Sequence, residues 1–540
     1  MNQFINAKEN LVIEAIDGML KHSGGQLARL DGYPHIKVVV RNDWDKNYVA
    51  LISGGGSGHE PSHAGFVGKG MLTAAICGEV FASPSVDAVL AGILAVTGPK
   101  GCLLIVKNYT GDRLNFGLAA ERARALGLKV NMVIVDDDIA LPDLPQARGV
   151  AGTLFVHKIA GALSENGATL ETITDAATKV VKGTASIGMS LDSCTVPGNK
   201  KDNRIPEGKA ELGLGIHGEP GIEQVDFSGA KNAMTIVAGR LAKIIDDGPH
   251  VALVNNLGSA TPLEMSVIVD ELLKSQIGGQ IQLVIGPAPL MTSLDMHGFS
   301  ISLLPISEEE VNALVESVNC SAWPGCREVQ SVKIKPLPEG LKTEKPVPSR
   351  DRKNSEFIEK CCQLFISVES VLNTLDQKSG DGDTGSTLAT AARAIMTSID
   401  NLPQADITQL YHAISQELST AMGGSSGVLL AIFFAAAGDA SASGGEIKNS
   451  LEAGLKRIKE VGGAQLGDRT MIDALEPALE RLPLGLSEAA TAAREGADRT
   501  SKIGRAKAGR ASYIAEEQLI GNNDPGAEAV ALLFEHLASE

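Results

Sequence analysis

The 540-residue sequence contains no C-x-x-C pair. Its seven cysteines are odd in number, and Cys361 and Cys362 are adjacent within a helical pattern. This excludes a zinc ribbon and argues against a disulfide framework; the reduced thiols of a cytoplasmic protein are expected. Aromatic residues make up only 4%, against 44% hydrophobic residues overall, so the cores must be aliphatic. Positive charge is short. A net charge of −17 repels phosphate backbones over long range, so no nucleic acid partner is expected. A single nucleotide stays open, because metal ions, backbone N–H groups and a few local cations can hold one. The longest apolar run, Val428 to Ala437, is too short to span a bilayer. The N-terminal MNQFINAKEN has no basic start followed by an apolar stretch. Neither membrane association nor a secretory signal is expected. There is also no G-x-x-x-x-G-K-[ST] loop and no H-R-D or D-F-G set, so any phosphate transfer must use other machinery.

At about 150 residues per domain, the length allows three or four folding units. The first 330 residues read as α/β. Apolar runs of strand length, Val49–Ile52, Cys102–Val106, Met132–Val135, Val251–Val254 and Ile281–Ile285, alternate with helical patterns such as Val86–Val96 and Leu114–Leu126. This alternation predicts βαβ units with mostly parallel sheets. The polar stretch 195–207, with Pro197, Gly198 and Pro206, is expected to separate two α/β subdomains. Residues 331–350 carry Pro336, Pro338, Pro346 and Pro348 among charges and read as a semi-rigid linker. Beyond it strand signals nearly vanish, and 351–540 reads as an all-α domain rich in alanine and leucine.

The strongest chemical signal is the run from Asp376 through Gly380-Asp381-Gly382-Asp383 to Thr387. Asp376 ends one predicted helix, and the next opens near Ser386. Three carboxylates on one short loop repel each other, and hard oxygen ligands suit Mg²⁺. A lone D-G-D would read more simply as a solvated turn with Asp383 as a helix N-cap. Asp376 at a helix end, together with further phosphate-type loops downstream, shifts the balance to metal. Those loops are Gly423-Gly424-Ser425-Ser426-Gly427 and Gly467-Asp468-Arg469-Thr470-Met471. Each puts small residues and hydroxyls at a predicted helix N-terminus, where N–H groups and the dipole favour anions. Ordinary capping accounts for either one alone. Lys502, Arg505, Lys507 and Arg510 form a basic cluster nearby in sequence.

In the first half, Ser53-Gly54-Gly55-Gly56-Ser57-Gly58-His59-Glu60-Pro61 follows a strand directly, the place where α/β folds bind ligands. His59 there could act as acid or base. Lys107 and Asp112 follow another strand. His217 lies in Gly213-Leu214-Gly215-Ile216-His217-Gly218-Glu219-Pro220-Gly221. This matches G-x-G-x-x-G, but a dinucleotide turn should open a helix at once, and Pro220-Gly221 argue against that. The glycines instead permit close approach to the imidazole. For each of these residues alone, a packing role is the plainer reading.

Taken together the motifs resemble the single-polypeptide, ATP-dependent dihydroxyacetone (glycerone) kinases. SGGGSGHEPSHAGFVGKGML, KNYTGD and GLGIHGEPG are similar to that family's substrate domain; GDGDTGST, MGGSSGVL, GDRTMIDAL, AGRASY and NDPGA are similar to its nucleotide domain. The resemblance implies an α/β substrate region of two subdomains followed by an all-α helical barrel that binds nucleotide. It implies that His217 attacks the ketone carbon through Nε2 to give a hemiaminal. Gly56, Ser57, Gly58, His59, Lys107 and Asp112 would contact dihydroxyacetone, with His59 and Asp112 managing protons. Asp376, Asp381 and Asp383 would hold two Mg²⁺ ions on the phosphates of ATP. Thr384, Gly385, Ser386, Thr387, Ser425, Ser426, Gly462, Thr470, Met471, Arg510, Asp524, Pro525 and Gly526 would contact nucleotide. The family also implies a homodimer in which one subunit's nucleotide domain faces the other's substrate domain, and D-glyceraldehyde as a second substrate. Two other readings of the same sites are an FAD-AMP lyase side activity that forms cyclic FMN, and a non-catalytic dihydroxyacetone sensor.

Overall fold

The computed structural model describes residues 3–32, 35–141, 146–339 and 346–539. The chain divides into two compact units, Met1–Lys333 and Ile334–Glu540.

The first unit contains two sheets. In chain order the first has β1 (Leu27–Arg29), β2 (Val38–Arg41), β3 (Ala50–Ser57), β4 (Ala74–Val80), β5 (Cys102–Lys107) and β6 (Val130–Val135), arranged β1-β2-β4-β3-β5-β6. β4, β3, β5 and β6 are parallel neighbours, and β5, CLLIVK, is buried at every position. Such a continuous apolar run suits a strand covered on both faces. The second sheet has β7 (Ala185–Ser190), β8 (Lys209–Leu212), β9 (Glu223–Asp226), β10 (His250–Asn256), β11 (Ile281–Ala288), β12 (Gly298–Pro305) and β13 (Cys326–Glu328), arranged β13-β11-β10-β12-β7-β8-β9. Here the expectation of mostly parallel pairing fails: β10 and β11 are parallel, and every other pair is antiparallel. β8 and β9, for example, are joined by a hairpin loop, which needs no crossover helix. β9, EQVD, forms a polar edge.

The helices Val86–Val96 and Thr110–Ala125 pack on one face of the first sheet in an aliphatic cluster around Ile52, Ile76 and Val106. The helices Ala230–Leu241 and Pro262–Lys274 cover the outer face of the second. Between the sheets lies Thr153–Glu165, buried along nearly its whole length, in one core with Leu51, Leu103, Leu253 and Ile285 from both sheets. The stretch 195–207 is therefore not the boundary. It connects β7 to β8 inside the second sheet, and the change of sheet falls earlier, across the central helices between β6 and β7. Its polar, proline-containing sequence marks a long loop, and nothing in its composition separates that from a domain break.

The second unit has no strand among its described residues. Residues 346–350, where Pro346 and Pro348 lie, form no regular element beyond an isolated bridge from Ser349 to Pro403, beside which Arg350 pairs with Asp400 at 3.3 Å; residues 340–345 lie outside the described part. The long helices are Arg352–Ser367, Glu369–Asp376, Thr384–Ser398, Ile407–Ala421, Gly424–Ala442, Ile447–Gly462, Ile472–Arg481, Leu486–Thr500 and Pro525–Ala538. From Thr384–Ser398 to Leu486–Thr500 each packs on the next, and Leu486–Thr500 packs on Pro525–Ala538. That last helix packs on the first two, which closes the ring. Small residues permit the close approaches: a side chain at Gly385 would collide with the Glu369 carbonyl of the neighbouring helix. No helix among the described residues is long and apolar enough to cross a membrane.

Candidate active site

In the first unit the site forms where β3 and β5 end. Gly54, Gly55 and Gly56 continue β3 past its apolar part and bring bare backbone against the next layer. A Cβ on Gly55, whose φ is +154°, would stand 2.8 Å from Lys107 Nζ and 3.3 Å from an Asp112 oxygen. One on Gly56 would stand 2.7 Å from the Ala82 nitrogen. The glycine loop thus makes room for Lys107 at the end of β5 and for Asp112 in the first turn of the helix after it. Both are nearly inaccessible to solvent.

His217 arrives from the other sheet, on the β8–β9 loop. This G-x-G-x-x-G stretch opens no helix. Its ring centroid lies 4.8 Å from that of His59, 4.5 Å from Tyr109 and 5.3 Å from Phe81, at nearly right angles to the last two. Glu219 holds it: Oε2 accepts from the His217 backbone N–H at 2.9 Å, and Oε1 lies 3.1 Å from Nδ1. Burial alone would raise the Glu219 pKa. The hydrogen bond and charge of His217 and the backbone N–H bonds outweigh it and bring the carboxyl to about 2. An ionised carboxylate only accepts, so Nδ1 carries a proton, and in the neutral ring the lone pair falls on Nε2.

His59 is set the same way. Its Nδ1 lies 2.8 Å from the Thr292 carbonyl, which can only accept, and its Nε2 makes no hydrogen bond among the described residues. Burial, reinforced by Lys107 and His217, pushes its pKa well below the ordinary value, so His59 is a neutral base. Asp112 Oδ1 and the Tyr109 hydroxyl are likewise buried without a partner among the described residues. Burial lowers the pKa of Lys107, against the pull of Asp112 and Asp137. Ser57 is the exception: its hydroxyl donates to the Gly78 carbonyl at 2.8 Å, which leaves its backbone to line the site. Glu219, Tyr109 and Thr292 do not stand out in the sequence. Glu219 and Tyr109 sit inside the motifs that were read for His217 and Lys107, whereas Thr292 has no local signal.

In the second unit, one oxygen each of Asp376, Asp381 and Asp383 lie within 4.8 Å of one another. Asp376 is the buried member. Its carboxylate accepts from the Asp383 and Thr384 N–H groups at 3.0 and 3.1 Å, and its carbonyl from Ser379 and Gly380. The loop is wound around it. Asp383 occupies the N-cap position, yet its side chain makes no capping hydrogen bond, so the simpler capping reading lacks its contact. Three hard oxygen donors at this separation fit a divalent cation such as Mg²⁺. Gly385, Ser386 and Thr387 continue the helix that Thr384 opens; Asn373 brackets Ser386, accepting from its N–H and donating to its hydroxyl.

The remaining residues expected to contact nucleotide fall on or beside alternate connections of the ring. In an up-and-down arrangement of helices with short connections, alternate connections share one end. Thr384 follows the first of these, and Ser425 and Ser426 start the helix after the second. Gly462, Thr470 and Met471 bracket the third, while Arg510, Asp524, Pro525 and Gly526 lie on or just after the fourth. Direct contacts join the last two: a Cβ on Gly526 would stand 3.3 Å from Met471 Cβ, and Lys507 pairs with Asp468 at 3.1 Å. Asp524 caps the final helix by accepting from the Ala527 N–H at 2.9 Å. The side chains of Ser425, Ser426 and Arg510 lie outside the described residues.

Comparison with known proteins shows the family and the fold. A Dak1 domain matches residues 17–322 and a DAK2 domain residues 378–539. The dihydroxyacetone kinase of Citrobacter freundii is 47% identical, over 99% of this chain and 98% of that one. The triokinase/FMN cyclase of Homo sapiens is 38% identical, over 98% of each chain. The crystal structure of the C. freundii kinase in complex with AMP-PNP and Mg²⁺ aligns with a TM-score of 0.69 at 45% identity, covering 100% of this chain and 99% of that chain.

Proposed function

The chain belongs to the single-polypeptide, ATP-dependent dihydroxyacetone kinase family, phosphotransferases with an alcohol group as acceptor, and from that premise we propose that it phosphorylates dihydroxyacetone held as a hemiaminal on His217. The observation that carries this reading is the Glu219 contact, which keeps the proton on Nδ1 and leaves Nε2 nucleophilic. The Nε2 lone pair bonds to the central carbon, and the carbonyl π pair moves to oxygen, which takes up a proton from water. The ring in turn passes its Nδ1 proton to water by way of the partly exposed Glu219, which stabilises the positive charge while the bond forms, so that no net proton is gained or lost. His59 Nε2 accepts the hydrogen bond of the new hydroxyl, and Lys107 donates to the substrate. Asp112 Oδ1 takes the proton of the terminal hydroxyl as its oxygen attacks the γ-phosphorus of ATP, whose bond to the β,γ-bridging oxygen breaks so that ADP leaves. A covalent anchor fixes a substrate too small to offer much surface, and it selects a carbonyl over glycerol.

Asp376, Asp381 and Asp383 would hold two Mg²⁺ ions with ATP, and the loops after the alternate helices would line the nucleotide. When bound, the ions offset charge on the transferring phosphoryl group. D-glyceraldehyde is a further expected substrate, and a cytoplasmic homodimer the expected assembly. One assay tests the reading: wild-type protein should form dihydroxyacetone phosphate with Mg-ATP, and should not with phosphoenolpyruvate plus phosphotransferase proteins. No product with ATP would leave the sensor reading. Similarity to a triokinase/FMN cyclase supports FAD-AMP lyase as a second activity, and release of cyclic FMN from FAD with Mn²⁺ tests it.

A further inference from the structure

One buried histidine of the first unit has no part in the mechanism above. His63 is only 4% exposed, and its Nε2 lies 2.9 Å from Lys107 Nζ. Its Nδ1 lies 3.4 Å from Ser53 Oγ, a long hydrogen bond. Two separate arguments place its proton. An ammonium only donates, so Nε2 must accept from Lys107 and the proton must sit on Nδ1. From the other side, the single Ser53 proton is committed to the Ile105 carbonyl at 2.7 Å, so Ser53 Oγ can only accept from Nδ1. Burial first, then Lys107, His157 and His59, keep His63 neutral. His157 stands edge-on to it at 5.3 Å, but neither of its nitrogens makes a hydrogen bond among the described residues. The acceptor for Lys107 is therefore His63.

We propose that His63, oriented by Ser53, is a positioning residue for dihydroxyacetone binding: it fixes the Lys107 ammonium by accepting one N–H and aims the remaining donors at the substrate oxygens. This rests on the reading of Lys107 as a substrate contact. Lys107 has a flexible four-carbon stem, and because Gly55 lacks the Cβ that would stand 2.8 Å from Nζ, no side chain of the glycine loop holds its head in place. A fixed acceptor on the far side is what turns a mobile cation into a directed one.

The test is a double-mutant cycle on the full chain, with KM and kcat measured separately for dihydroxyacetone and ATP. His63→Leu removes the acceptor and keeps bulk. It should raise the dihydroxyacetone KM by about 10- to 100-fold, the range for losing a hydrogen bond to a charged group, with the ATP KM unchanged. His63→Gln, which still offers an acceptor, should recover most of the loss. Ser53→Ala should cost a few-fold in the same constant. In a Lys107→Met background none of the three should add a further loss. Additive losses, or losses in kcat and ATP KM alike, would overturn the proposal and mark His63 as a packing residue. Should His63→Leu fail to fold, the Ser53→Ala and His63→Gln arms still decide. If Lys107→Met alone leaves the dihydroxyacetone KM intact, the assignment of Lys107 falls instead, which is a separate result.

Discussion

The two candidate sites are built in opposite ways. In the second unit the carboxylates lie within eight positions of one another, Asp376 to Asp383, and only one of them is buried. In the first unit His59 and the carbonyl that orients it, that of Thr292, are 233 positions apart, and His59, Lys107 and Asp112 are all buried. A metal–phosphate site can stay open because its ligands are charged and its partners bring their own water. A nucleophilic imidazole needs one tautomer and an enclosing wall: Glu219, two residues on, sets the tautomer of His217, but the His59, Phe81 and Tyr109 rings around it come from other segments.

The sharpest test of this contrast is to separate the units. Residues 1–330 should be soluble, bind dihydroxyacetone by calorimetry and show no kinase activity. Adding residues 351–540 should restore a small part of the rate, limited by the lost effective concentration. Failure of both fragments to fold would misplace the boundary.

Within the intact chain, Asp381→Asn should reduce turnover by about three orders of magnitude, the several kcal/mol expected of metal charge stabilisation, while dihydroxyacetone binding stays intact. A variant with wild-type Mg²⁺ dependence and rate would remove the three-aspartate site. His217→Ala should weaken dihydroxyacetone binding by about 100-fold and abolish the preference over glycerol. In crystals of wild-type protein soaked with dihydroxyacetone and no ATP, continuous density from Nε2 to the central carbon is expected; a detached ketone would leave His217 as a packed residue.

The smallest effect should come from Glu219→Gln, which keeps an acceptor for Nδ1 and loses the charge. About a ten-fold loss in kcat/KM is expected, of the order of one charge-assisted hydrogen bond. The pH sign follows from the carboxyl's fall from 4.5 to about 2 on folding. A lowered acid contributes stability that is complete above pH 4.5 and lost as pH falls toward 2. In urea titrations the gap between wild type and Glu219→Gln should therefore close across that window, and the activity profile between pH 6 and 9 should show no Glu219 step.

The contrast between the sites also explains what could be read in advance. The D-G-D loop with Asp376 was legible because a helix end, glycines and carboxylates sit side by side in the chain. The strand at Cys102–Lys107 is legible because a strand buried at every position is an almost continuous apolar run. The pairing direction of the second sheet was not, since antiparallel neighbours such as β12 and β7 are distant in sequence and no local pattern encodes which strand lies beside which.

By itself, then, the sequence determined the elements, the change from α/β to all-α, and the residue types able to hold a metal, a phosphate or a ketone. Those are short-range properties, carried by spacing and composition. Tertiary structure alone decided which nitrogen of each histidine keeps its lone pair, because that depends on the partner of the other nitrogen. For His59 the partner is a carbonyl from the far end of the unit. For His217 it is a carboxylate two residues on, which the turn between β8 and β9 folds back onto the ring. The closing of the helical ring was decided the same way, by the packing of Pro525–Ala538 against the first helices of its unit. Proton position and closure are set by contacts across space, and those exist only once the chain has folded.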